Sequence, residues 1–495
     1  MISFSTLDIF IIVAFLFGII TIGLFSSKIN SIKNDEDYLL SGRNVGLILF
    51  ILTNVATWYG GILGVGEFSY KYGLVSWLTQ GFPYYIFAII FAFTFAEKIR
   101  SAKLYTIPDK LESIYGKKVS LISAILIFIL ISPAPYLLMM AQIIALIFNL
   151  DFFLALIISA ISASIYLIKG GYRSNIWADA FSFFVMFCGF IIIVFTANYN
   201  FGGISFLKEN LPVQHLSLTG GTSITFITVW FLIALWTFTD PGFHQRCYSA
   251  KSGKVAKWGI LISIIFWIFF DFLTNTTGLY ARAILPNLEN PVLAFPYLAQ
   301  KILSSGYKGI FFAAMIATIL STLNSFIFLS ATTFSVDFAS RIFLNKSNQK
   351  IQGKFNLPNQ KGKNKFLKII LSKIKNDKKI LISLTQYGIF FTLFISIIIA
   401  YFFQSVVELW YIIGSICIPG LILIVISAYY PKNRINKFFA LIEILIGVIT
   451  SLLWILIRSE FQSTFLNEFE PMIIGLIFAS IIHMVGMTQK KSQTI

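Results

Sequence analysis

The chain has 495 residues, of which 57% are hydrophobic and 12% charged, with a mean hydropathy of +0.83. A soluble domain carries about twice that charge, so a set of soluble domains is excluded. The net charge of +17 does not point to nucleic acid either, because the basic residues sit in short loops between apolar runs and form no basic face.

The apolar runs are roughly twenty residues long, the length an α-helix needs to cross about 30 Å of hydrocarbon. Hydropathy windows place spans at 5–25, 46–67, 77–96, 120–147, 151–168, 175–197, 222–240, 257–281, 309–335, 383–404, 407–430, 438–457 and 470–488. The first has no basic n-region and no small-residue cleavage site, so it reads as a retained span. Alternate loops hold 32 of the 38 Lys and Arg residues; the other side holds Lys71, Lys208, Arg282, Lys301, Lys308 and Arg458. The positive-inside rule then predicts an all-α polytopic protein of about 13 transmembrane helices, N-terminus outside and C-terminus cytoplasmic. Cys188, Cys247 and Cys417 offer no disulfide framework, and His215, His244 and His483 are scattered. No metal-ligand spacing and no nucleotide-binding P-loop is present, so neither an enzyme nor an organic cofactor is expected.

Polar residues within the spans carry the chemical information, because each must face protein or water. Span 2 places Gly60, Gly61, Gly64 and Gly66 in its outer half beside Thr53, Asn54 and Thr57. It is predicted to unwind there and present backbone carbonyls to a cation, or to pack closely through its small residues. Pro133 and Pro135 predict a kink in span 4. Asp179 in span 6 is an acid at mid-membrane depth with no Lys or Arg in a neighbouring span, so it needs a proton, a partner or a bound cation; Asp271 in span 8 is a weaker case of the same kind. Span 7 is interrupted at Thr239-Asp240-Pro241-Gly242. Interrupted helices opening two consecutive five-span blocks, 2–6 and 7–11, predict an inverted-repeat transporter. On span 9, Thr318, Ser321, Thr322 and Ser325 fall at i, i+3, i+4 and i+7, with Asn324 beside them. A hydroxyl stripe suits a hard monovalent cation, and it equally suits close helix packing. The segment 341–379 holds twelve basic residues and one acid, Asp377. It is expected to be a loose cytoplasmic topology anchor, with anionic lipid headgroups as the alternative partner.

Several further motifs stand along the chain: Ser41-Gly42-Arg43, the stretch from Gly64 to Tyr70 with Gly73, Thr106-Ile107-Pro108-Asp109-Lys110-Leu111 with Tyr115-Gly116, and Gly170-Gly171 before Asp179. Gln245-Arg246 with Ala250-Lys251, and the stretch from Ala313 to Ser325 with Asp337, complete the set. In order and spacing they resemble the sodium:solute symporter family. The resemblance runs from about Ser41 to Tyr430. It implies the inverted-repeat fold of the leucine transporter with one extra span before and two after. The chain would divide into 1–45, a first repeat at 46–200, a second at 201–430 containing the basic loop 336–382, and the final spans at 431–495.

Carried over by position, the resemblance implies a main sodium site from the carbonyls of Asn54, Thr57 and Thr318 and the hydroxyls of Ser321 and Thr322. A second cation site would use Asp179, Ser321, Asn324 and Ser325. Solute would meet Trp58, Tyr59, Gly61, Gln80 and Trp236. Ile233 stands where the family's sugar carriers have asparagine, which disfavours sugar. The expected function is sodium-coupled import of a small organic solute by alternating access in the cell membrane, with no nucleic-acid partner and no oligomeric state assigned. A potential of about 100 mV contributes roughly 2.3 kcal/mol per charge, and a tenfold sodium gradient about 1.4 kcal/mol. One ion therefore suffices for accumulation of a few hundredfold. Two alternatives remain: a proton-coupled carrier using Asp179, against which the hydroxyl stripe counts, and a transporter-like solute sensor. The chain's ending seven residues after span 13 weighs against the sensor.

Overall fold

The computed structural model describes residues 2–29, 32–341, 380–403, 406–461 and 469–492. All of the predicted basic segment 341–379 except Arg341 lies outside them. Among the described residues there is no β-strand, only an isolated parallel bridge between Val45 and Ala250. Each predicted span has a helix at its position. Among the described residues, eleven helical stretches, some of them broken, are long and apolar enough to cross a membrane, and Leu47–Ala56 and Phe152–Ser164 are apolar but shorter. The protein is an all-helical, polytopic membrane protein.

Span 2 breaks, but not along its whole glycine-rich half. A helix over Leu47–Ala56 ends as Thr57 N–H bonds the Thr53 carbonyl (3.2 Å) and Trp58 N–H the Val55 carbonyl (3.2 Å); a second helix covers Ile62–Tyr72. The unwound stretch is therefore 57–61. Gly64 and Gly66 lie inside the second helix, where they admit close neighbours. A Cβ would meet the Trp410 indole at 3.1 Å from the first and the Phe295 ring at 3.1 Å from the second.

The proline pair breaks span 4 into Lys117–Leu130 and Ala134–Phe148. Pro135 has no N–H to offer the Ile131 carbonyl four residues back, and Ser330 Oγ on span 9 donates to that carbonyl at 2.9 Å. Span 6 runs as Leu167–Phe201, kinked at Gly171, whose φ of 56° only glycine adopts readily. Span 9 is the helix Tyr307–Thr332, buried along nearly all its length and packed against span 6. Its N-terminus is held by span 1, where Asp8 Oδ1 accepts the N–H groups of Gly306 and Gly309 at 2.9 Å each.

Span 7 differs most from the sequence expectation. Helix Ile224–Ile233 tightens to a 3₁₀ turn over Ala234–Phe238, and a separate helix, Pro241–Ser249, follows. Pro241 occupies its first turn, and the Asp240 carboxylate accepts Phe243 N–H at 2.8 Å, so these residues start a helix rather than merely interrupting one. All nine of its residues are buried, which removes Arg246 from the exposed connection expected between the spans 222–240 and 257–281. The end of this helix is stitched to the start of span 2: Val45 N–H donates to the Ser249 carbonyl (3.1 Å) and Lys251 N–H to the Val45 carbonyl (2.9 Å). Arg43 reinforces the seam, donating to the carbonyls of Leu104 (3.1 Å) and Tyr248 (3.3 Å).

Candidate functional site

Span 9 meets the unwound stretch of span 2 with its hydroxyl stripe. Ser321 Oγ donates to the Ala56 carbonyl at 2.8 Å and Thr322 Oγ1 to the Thr57 carbonyl at 2.9 Å. Both hydroxyls also lie near the Thr318 carbonyl, at 3.1 and 3.3 Å. Thr318 Oγ1 turns away and donates to Met315 O (2.7 Å). Five oxygens thus converge: the carbonyls of Ala56, Thr57 and Thr318 and the hydroxyls of Ser321 and Thr322. Four belong to residues singled out by sequence; Ala56 was not. No backbone N–H closes onto the carbonyls of Asn54, Ala56 or Thr57 where the helix ends. The approach depends on Gly60, since a Cβ there would overlap the Thr322 side chain.

The residues proposed for a second cation are brought near one another but differently joined. Asp179 is fully buried; its Oδ2 accepts Thr53 Oγ1 at 2.5 Å and Asn175 Nδ2 at 3.3 Å. Asn175 Nδ2 also donates to Ser325 Oγ (2.8 Å), so Asn175 links Asp179 to Ser325. Asn324 Nδ2 donates to the Tyr166 hydroxyl, and Ser321 faces Ala56. Thr53 was noticed only as a polar neighbour of the glycines, Asn175 only lies one turn before Asp179 in sequence, and Tyr166 carried no signal. Neither did the role of Arg246, whose guanidinium donates to Thr57 Oγ1 and lies within electrostatic reach of Asp179. No Lys or Arg was expected in a span beside Asp179; Arg246 arrives instead on the buried helix after span 7, and among the described residues it forms no ion pair with Asp179.

Of the expected solute residues, Trp58, Tyr59 and Gly61 form the break itself. Trp58 packs against Tyr84, Phe243 and Trp267, with ring centroids 5.0, 5.7 and 5.0 Å away. The Tyr59 hydroxyl donates to Trp267 O at 2.9 Å. The Trp410 indole covers Gly61, leaving no room for a Cβ there, and Trp236 lies 3.7 Å from where a Cβ of Gly414 would be. Gln80 is half-buried within a π-helical turn, Trp77–Gly81. Trp410 was not anticipated.

A broken helix facing a hydroxyl stripe is a carrier geometry, and the family comparison agrees over most of the chain. Residues 38–356 match the family described as "Sodium:solute symporter family". The chain belongs to that family. It is thus a multi-pass membrane protein, a sodium-coupled solute symporter with sodium as its coupling ion, and not an enzyme. It is 26% identical over 383 residues to the sodium/glucose cotransporter of Vibrio parahaemolyticus, covering 67% of this chain and 68% of that one. It is 25% identical over 326 residues to the sodium/pantothenate symporter of Escherichia coli (strain K12), covering 61% and 66%. The alignments thus span about two thirds of these relatives. In fold the chain is similar to a Na+-coupled sialic acid symporter solved substrate-bound and outward-open, with a TM-score of 0.78 at 16% identity over 98% of both chains.

Proposed function

We propose that this symporter imports a small organic solute with one sodium ion, held where Ala56, Thr57, Thr318, Ser321 and Thr322 converge. The observation that carries the reading is the pair of bonds from Ser321 and Thr322 to the Ala56 and Thr57 carbonyls, across two elements some 265 residues apart in sequence. Neutral oxygens in that number suit a hard monovalent ion and bind it weakly enough to release it. Asn54, whose carbonyl is also open, stands one turn back as a further ligand on the sequence carry-over.

Asp179 acts in this reading as a hydrogen-bonded carboxylate on the path of the ion, not as the seat of a second one. Thr53 and Asn175 already bond it, and Arg246 supplies opposite charge. The eleven long helices, the broken pair at 47–72 and the short helix Phe152–Ser164 support thirteen spans. These form two inverted five-helix repeats, at 46–200 and 201–430, flanked by 1–45 and 431–495, with the N-terminus outside. The basic segment 341–379 then lies in the cytoplasm as a topology anchor, with anionic lipid as its second partner. Aromatic residues at the break and Ile233 in span 7 favour a solute other than a sugar.

The test is the melting temperature of the purified protein in sodium chloride against potassium chloride. Sodium should stabilise the wild type, and Ser321→Ala should need at least about tenfold more sodium for the same shift, the loss of roughly 1.4 kcal/mol. An unchanged sodium requirement in Ser321→Ala would place the ion elsewhere.

A further inference from the structure

Span 8 carries a second buried carboxylate that the sodium reading does not use. Asp271 sits on the buried face of the helix Gly253–Ile284 and is 7% exposed. Its Oδ2 accepts the Tyr85 hydroxyl of span 3, and the Tyr59 hydroxyl of the unwound stretch stands beside the same group. Asn275 Nδ2 and Thr274 Oγ1, one turn on, donate to its backbone carbonyl at 2.8 and 3.2 Å and leave the side chain to other partners.

Two features make this more than a helix-packing contact. The carboxylate reaches span 3 at its π-helical turn, where Gly81 lacks the Cβ that would lie 2.7 Å from Oδ2 and 3.0 Å from the Tyr85 hydroxyl. Such turns occur frequently at functional sites. Gln80, the neighbour of Gly81, and Tyr59 are both expected solute contacts, so Asp271 is joined to elements that carry two of them. The second feature is charge. No Lys, Arg or His of the described residues forms an ion pair with Asp271. Tyrosine hydroxyls stabilise a carboxylate without neutralising it, and an uncompensated charge at mid-membrane depth is costly.

We infer that Asp271 is the anionic recognition group of the solute site and that the transported solute carries a cationic nitrogen. This rests on the sodium-symport reading above. The surroundings favour an organic cation over a second metal ion. The side chain offers one carboxylate, bonded by the Tyr85 hydroxyl, and aromatic rings lie on the neighbouring elements: Tyr59, Phe270 at 4.4 Å between centroids from Tyr59, and Trp77 beside Gly81. Aromatic faces attract an alkylammonium or guanidinium group, whereas a bare sodium ion wants five or six oxygens around it. Trp267, one turn before Asp271 and tilted against Trp58 at 5.0 Å between ring centroids, joins the carboxylate's helix to the aromatic residues of the break.

The experiment is thermal stabilisation of the purified full-length protein in saturating sodium chloride. The probes are choline, its uncharged isostere 3,3-dimethylbutan-1-ol, proline, glycine betaine, agmatine, acetate, glucose and urea. Stabilisation should be confined to compounds with a cationic nitrogen. Asp271→Asn should weaken the best of them at least tenfold while keeping the sodium-induced shift of the wild type; Asp271→Glu, which retains the charge, should keep the preference. The inference is overturned if acetate, glucose, urea or the alcohol stabilises the protein, if no cationic compound does, or if Asp271→Asn binds unchanged. Loss of the sodium shift in Asp271→Asn would overturn it too, assigning the carboxylate to an inorganic ion. The wild-type panel decides even if that variant does not fold. Failure of the underlying reading is separate: the wild type would then gain no stability from sodium over potassium.

Discussion

Replacing Thr322 by valine isolates one oxygen of the proposed sodium site. The side chain keeps its volume and β-branch, so the close approach of Gly60 is preserved, but the Oγ1 that reaches Thr57 O at 2.9 Å is lost. A hydrogen bond to a charged group contributes about 1.5–3 kcal/mol, and an oxygen coordinating sodium belongs to that class. Removing it should weaken sodium binding by about tenfold or more, at 1.4 kcal/mol per decade. A ligand at about a hundred times its Kd stabilises by roughly 2.7 kcal/mol. After a tenfold weakening, the same sodium concentration contributes about 1.4 kcal/mol, so roughly half the sodium-induced rise in melting temperature should disappear. Titrating sodium chloride against potassium chloride at constant ionic strength measures this directly. A Thr322→Val protein whose half-saturating sodium concentration equals that of the wild type would refute the assignment and return the stripe to ordinary packing.

Asp179→Asn keeps the shape and the bond to Thr53 while removing the charge; sodium titrations of both proteins should give a Hill coefficient of one. A wild-type coefficient above one that falls to one in the variant would instead establish a second ion. Gly60→Ala drives a methyl into the Thr322 side chain; overpacking of that kind costs about 1–3 kcal/mol and should abolish the sodium shift, a result checked by the same melting curves. For topology, an impermeant maleimide should label Asn210→Cys but not Lys103→Cys in intact cells, and the reverse pattern would invert the orientation.

Much of this was legible from periodicity. The spacing of Thr318, Ser321, Thr322 and Ser325 put the stripe on one face before any coordinates did, and the glycines of span 2 announced a break near Thr57. The extent of that break was not legible. Gly60 and Gly64 look alike in sequence, yet the first admits Thr322 and the second Trp410, and only the packing of distant helices distinguishes them. Arg246 was misplaced for a related reason. Its helix is short and carries polar residues, so hydropathy read it as loop, while nine buried positions and an N-terminal proline make it part of the interior. Asn175, four residues before Asp179, could have been noticed as an i, i+4 partner. Its bond to Ser325, 150 residues away, could not.

The bridge joining Val45 to Ser249 and Lys251 has a mechanical consequence. It ties together the two interrupted helices, one from each half of the chain, at a point where neither carries an ion or solute contact. The link consists of backbone bonds, which only a proline at Val45 or Lys251 would remove. The two interrupted helices thus share a backbone tether, and a movement of the first on binding the proposed sodium ion is expected to reach the second through it.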